Sequence, residues 1–111
     1  MVSPEPVSRG DIFLVDLDPT RGHEIRKMRP CLVVSPDELN QYVQTFIVAP
    51  LTTGSHAYPF RVSCTFQGKH GHIVLDQIRT VDRERLVRRL GSPPQRVLNE
   101  CLAVLQDMFA Q

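Results

Sequence analysis

Three short polar stretches hold the side chains suited to chemistry. The first, Gly22 to Pro30, gathers His23, Glu24 and the cations Arg26, Lys27 and Arg29 ahead of Pro30. The second, Leu51 to His56, is rich in hydroxyls: Thr52, Thr53 and Ser55 precede His56. The third follows an apolar run and supplies Asp76, Gln77 and Arg79. An arginine offers two parallel donors to phosphate oxygens, and a threonine hydroxyl adds another, so cations beside hydroxyls suit phosphate recognition. His23 and Glu24 add acid–base or positioning capacity. Composition alone favours a plainer reading of the first stretch, a solvated basic loop joining two strands.

Other chemistries find less support. His70 and His72 would share one face of a strand, but no third ligand accompanies them. Neither a Gly-x-Ser-x-Gly elbow nor a glycine-rich phosphate loop is present. No carboxylate cluster for paired magnesium ions stands out, and no cofactor is called for. Cys31, Cys64 and Cys101 are odd in number and widely spaced, which fits small core residues in a reducing cytoplasm better than a disulfide framework.

These loops must be held by short strands. Ile12 to Leu17 is rich in β-formers and ends at the Asp18-Pro19-Thr20 turn. Cys31 to Ser35 reads as a strand buried on both faces, closed by Pro36, with Arg29 in the loop at its entrance. A helical turn is expected over 36–41, then a strand over 45–49 ended by Pro50. Further strands are expected near 59–66 and 72–75, the latter continuing to Val81, with a turn over 67–71. The arginine-dense stretch from Asp82 to Leu90 is expected to hold a last short strand, with Arg83, Arg85, Arg88 and Arg89 mostly solvated. Ser92-Pro93-Pro94-Gln95 carries a helix-start signature, with Ser92 as N-cap and Gln95 completing a capping box. The helix places Val97, Leu98, Cys101, Leu102, Leu105, Met108 and Phe109 in one stripe.

The 111 residues suit one domain over 9–111 after a loose tail over 1–8. Many short strands and one late helix predict a small, strongly bent antiparallel sheet or barrel with a helix against it. A net charge of +1 excludes a chain that coats nucleic acid by bulk charge, so an anionic partner must meet a local patch. No apolar run marks a signal peptide or a membrane span.

Taken in order, Gly10-Asp11-Ile12, Val15-Asp16-Leu17-Asp18-Pro19-Thr20, Gly22-His23-Glu24 and Arg29-Pro30 with Val33-Val34-Ser35-Pro36 resemble the MazF/PemK family of toxin endoribonucleases. Val48-Ala49-Pro50-Leu51-Thr52-Thr53, Tyr58-Pro59-Phe60 and Val74-Leu75-Asp76-Gln77-Ile78-Arg79 extend the resemblance to nearly the whole chain. It implies a mainly β, SH3-like antiparallel barrel with a C-terminal α-helix, paired as a homodimer. It also implies metal-independent cleavage of single-stranded RNA at short sequences, through the 2′-hydroxyl, and neutralisation by a cognate antitoxin. On this resemblance Arg29 and Thr52 are the catalytic pair, and His23, Glu24, Thr53, Asp76, Gln77 and Arg79 bind RNA or assist. Ile25-Arg26-Lys27-Met28 departs from the family's glutamine- and glycine-containing segment, and Val74 stands where some members have an arginine. The rival is a binding module of the CcdB type, which shares the barrel and poisons gyrase without cutting RNA.

Overall fold

The computed structural model describes residues 6–25, 27–54 and 56–111; Arg26 and Ser55, counted above, lie outside the described residues. Seven strands and two α-helices follow in the order β1 (Ile12–Asp16), β2 (Met28–Val33), α1 (Asp37–Asn40), β3 (Thr45–Thr53), β4 (Arg61–Phe66), β5 (Lys69–Val74), β6 (Arg79–Asp82), β7 (Leu86–Gly91) and α2 (Gln95–Met108), with short 3₁₀ turns over Leu75–Gln77 and Arg83–Arg85. The strands pair antiparallel along the path β4-β5-β3-β2-β1-β7, with β6 beside β3.

β3 organises the sheet. It pairs with β6 from Thr45 to Val48 and with β5 from Leu51 to Thr53, while β2 lies along its other edge. Pro50 was expected to end this strand; it lies inside it. It sits where β3 passes from β6 to β5, a position that asks little of a backbone donor. Likewise β2 begins before Cys31, so Arg29 belongs to the strand and pairs with Val15 rather than sitting in the loop.

Side-chain alternation gives the sheet two buried faces. One carries Ile12, Leu32, Ala49, Leu51, Val62, Cys64 and Ile73, and receives Val97, Leu98 and Cys101 of α2. The other carries Phe13, Val15, Cys31, Val33, Phe46, Val48 and Val81. Val7 packs into this second cluster, so the last part of the expected loose tail is held against the domain. Each fully buried Val or Leu contributes about 1.5–3 kcal/mol, and the two clusters together form the core.

No backbone pairing closes the expected barrel among the described residues. Its ends, β4 and β7, do come together, but the ring of Phe66 lies beside Gly91. The helix also differs at its start. The N-cap residue is Pro94, without a side-chain cap, and Gln95 Nε2 donates to Asn99 Oδ1 (3.0 Å) instead of completing a capping box. The Pro94 carbonyl accepts from the Val97 N–H (2.9 Å), and this bond opens the helix. Leu102, Leu105 and Met108 lie partly buried against the core as the stripe predicts, whereas Phe109 is 72% exposed beyond the helix end.

Candidate active site

β2 and β3 bring Arg29 and Thr52 together. Their pairing runs Cys31 with Pro50 and Leu32 with Ala49. Continuing that antiparallel register two residues towards the start of β2 sets Arg29 opposite Thr52. Both then point to the face shared by Cys31, Pro50 and Val48. Arg29 is exposed, and among the described residues its guanidinium has no hydrogen-bond or ion-pair partner. Pro30 fixes the backbone just after it. Thr52 is half-buried and Thr53 exposed at the end of β3. Arg29, Thr52 and Thr53 line a cavity of about 170 Å³ with Lys69 and His72.

The remaining sequence candidates converge separately. His23, Glu24, Asp76, Gln77 and Arg79 line a larger cavity of about 670 Å³, with Pro50 on its floor. Pro50 and Thr52 lie two residues apart on one face of β3, so the two groups of side chains adjoin across that strand. The structure therefore sorts the candidates into a strand-borne pair, Arg29 and Thr52, and a loop-borne wall.

That wall is braced. Leu17 N–H donates to the Lys27 carbonyl (3.0 Å), and Lys27 N–H to Asp18 Oδ1 (2.9 Å), closing the base of the β1–β2 loop. Lys27 takes a positive φ of 68° within it. At the tip, Glu24 Oε1 accepts from the Arg21 N–H (2.6 Å). Gln77 Oε1 accepts from the Ile25 N–H (2.9 Å), and Arg79 Nη1 donates to the Leu17 carbonyl (3.0 Å). These contacts commit Gln77 and Arg79 to holding the loop. Arg85, expected to be solvated, also donates to the Asp16 and Asp18 carbonyls at the loop's base. Arg89 likewise pairs with Asp11 (3.1 Å).

Asp76 has a partner that sequence reading missed. Arg61 binds its carboxylate in bidentate fashion, Nε to Oδ1 at 3.0 Å and Nη2 to Oδ2 at 3.1 Å. Arg61 stands directly opposite Val74 in the β4–β5 register, where no local sequence motif could reveal it. The hydrogen bond from Arg61 holds the Asp76 carboxyl below the usual carboxylate range, and the same bond raises the guanidinium pKa. The Tyr58 ring lies over the Arg61 guanidinium, 4.9 Å from ring centroid to Cζ, a cation–π contact that keeps the fork in place.

No activated thiol serves this site. Burial pushes the Cys31 thiol up to about 12, and Cys64 and Cys101 are raised for the same reason. His70 and His72 have ring centroids 5.9 Å apart, and His70 Nδ1 shares a hydrogen bond with Thr65 Oγ1 (3.2 Å). Among the described residues no group of His, Cys, Asp and Glu converges as a set of metal ligands. The arrangement is an exposed guanidinium and a hydroxyl on a rigid floor, beside a walled polar cleft. It can hold a phosphate diester and stabilise added negative charge on it.

Residues 8–109 match the family model described as PemK-like, MazF-like toxin of type II toxin-antitoxin system. The chain is 38% identical over 109 residues to Endoribonuclease PemK of Escherichia coli, a match covering 93% of this chain and 82% of that protein. Its structure superposes on the crystal structure of MazF (Form-I) from Deinococcus radiodurans with a TM-score of 0.84 at 28% identity, covering 96% of this chain and 99% of that one. A MazE-MazF structure (Form-II) from the same organism superposes with a TM-score of 0.77 at 29% identity, covering 94% of this chain and 96% of that one. Given a matching model across nearly its whole length and this fold, the chain belongs to the PemK-like, MazF-like toxin family of type II toxin–antitoxin systems.

Proposed function

We propose that this protein is an endoribonuclease toxin that cuts single-stranded RNA by transesterification. The observation that carries the reading is that Arg29, on β2, and Thr52, on β3, line one small cavity, beside the cleft walled by His23 and Glu24. In the proposed reaction the ribose 2′-hydroxyl attacks the adjacent phosphorus and the 5′-oxygen leaves. The Arg29 fork and the Thr52 hydroxyl stabilise the charge that collects on the non-bridging oxygens. Their geometry comes from two paired strands, so little reorganisation is needed as charge develops. His23 and Glu24 stand on the loop side, suited to take the proton of the 2′-hydroxyl. Gln77 and Arg79 act through the loop backbone they brace, and the Arg61–Asp76 pair bounds the cleft with fixed charge. Thr53 extends the hydroxyl edge along which the RNA backbone runs.

As a toxin of this kind the protein acts on RNA in the cytoplasm, as a homodimer of the single domain over 9–111. It is held inactive by a cognate antitoxin, the kind of pairing that the MazE-MazF structure represents for its relative. The catalysis requires no metal, since Arg29 and Thr52 supply the charge stabilisation.

Incubating the purified protein with a mixed RNA in excess EDTA, and mapping the cut ends, tests the reading. Cutting should persist and leave a 2′,3′-cyclic phosphate upstream and a 5′-hydroxyl downstream. A 2′-deoxy sugar at the scissile step should bind and resist cutting. Cleavage of that substrate at a normal rate would make water or a side chain the nucleophile and overturn the mechanism. Sedimentation at micromolar concentration tests the homodimer, which a purely monomeric species would exclude.

A further inference from the structure

His72 lies in the catalytic floor, although nothing in its local sequence sets it apart from His70. It pairs with Thr52 across β3 and β5, and with Ser63 across β5 and β4. Cross-strand partners point to the same face with Cβ atoms about 4.5–5.5 Å apart, so the imidazole lies beside the Thr52 hydroxyl, on the face that carries Arg29. It lines the same small cavity as Arg29 and Thr52. It is 6% exposed, whereas His70 is exposed at the hairpin edge and bonded to Thr65. His23, by contrast, stands exposed on the loop side of the larger cleft.

We infer that His72 is a catalytic residue of this site, the general acid that delivers a proton to the departing 5′-oxygen. The inference rests on the ribonuclease reading above. As the 2′-oxygen forms its bond to phosphorus, the bond from phosphorus to the 5′-oxygen breaks and leaves its electron pair on that oxygen. The imidazolium N–H of His72 protonates it and becomes neutral imidazole. The proton lost by the 2′-hydroxyl passes to the His23–Glu24 side. Acid and base then flank the phosphate held by Arg29 and Thr52, as an in-line displacement requires. Imidazole is the side chain that changes charge near neutral pH, so it can both give the proton and recover it. Among the described residues, the charged and titratable groups near it include Arg29 beyond Thr52, Arg61 on the same face of β4, His70 two residues back on β5, and Lys69 and Cys64 at the cavity.

The test is single-turnover cleavage by the full chain and its His72→Asn variant of two RNA oligonucleotides sharing one mapped cut site. One has the ordinary phosphodiester; in the other sulfur replaces the leaving 5′-oxygen and departs without needing a proton. His72→Asn should cut the ordinary substrate about 10²–10⁴-fold more slowly and the sulfur substrate at close to the wild-type rate. Cutting of the sulfur substrate also reports that the variant is folded. If His72→Asn is inactive on both substrates, His72→Gln is measured in the same way, and an equal loss on both substrates there overturns the proposal in favour of a positioning role. Wild-type rates on the ordinary substrate also overturn it. Absence of cutting by the wild type would instead defeat the ribonuclease reading, so the two failures are distinct.

Discussion

Arg29 is the residue on which the proposed chemistry turns, and its setting makes a sharp prediction. It lies on a strand, is exposed, and its guanidinium makes no hydrogen bond or ion pair among the described residues, so Arg29→Ala should leave the melting temperature nearly unchanged while cleavage falls by at least about 10²-fold. Lysine should rescue poorly, because a single ammonium cannot span two phosphate oxygens. Thermal melts beside cleavage assays check both halves, and unchanged cutting by Arg29→Ala would remove it from the mechanism. Asp76 gives a second prediction. Its carboxyl is held below the usual range by Arg61, so the pair stabilises the fold above the unfolded-state pKa of about 4 and that contribution is lost as pH falls through the lower folded value. Arg61→Ala should move the Asp76 titration upward towards the ordinary range, as followed by NMR. Asp76 is largely solvent-exposed, so the effect on overall stability should be small.

Between β3 and β5, a single glycine decides how closely the floor is built. Gly71 pairs with Thr53, and a Cβ on it would fall 1.6 Å from the Thr52 carbonyl oxygen. The neighbouring atom is backbone and cannot rotate away. Gly71→Ala should therefore push β5 off β3 beside Thr52, lowering both the melting temperature and the cleavage rate. Gly68→Ala is the matched control: a Cβ there meets nothing within 4 Å, although its φ of 76° makes the change mildly strained in the hairpin turn. A Gly71→Ala protein that melts and cuts like the wild type would show that β5 does not need this approach.

Across the whole molecule, one helix seals one face of the sheet, and Leu51, Cys64 and Phe66 of that face also line the small cavity of Arg29 and Thr52. Leu98 is 8% exposed and packs from α2 into the core that backs β3 and β5, beside Gly10. Leu98→Ala should cost about 2–5 kcal/mol by opening a cavity, as read by urea unfolding. Cleavage below the unfolding transition should persist, because Leu98 lines neither cavity of the candidate site. Equal loss of activity and fold at every urea concentration would instead tie the helix to the site. No helix is long and apolar enough to cross a membrane among the described residues.

The sequence by itself determined what depends on neighbours in the chain. A run of β-forming apolar residues set the strand at Ile12, the stripe of Val97, Leu98 and Cys101 set the helix face, and the ordered motifs from Gly10 onward pointed to the family. Strand ends were read less well, because Pro30 looks like a strand's entrance and Pro50 like its end locally, yet each has a place within a strand once its partners are known. The capping box at Ser92 failed for a similar reason: Pro94 started the helix two residues later. Only tertiary structure decided what depends on pairing across the sheet. Pairing across the sheet brought Arg29 and Thr52 to one small cavity, gave Asp76 its Arg61 and brought His72 beside Thr52. It also turned Gln77 and Arg79 into braces for a loop more than fifty residues earlier in the chain. Local spacing cannot encode such partners, because a one-residue shift of register sends every side chain to the other face.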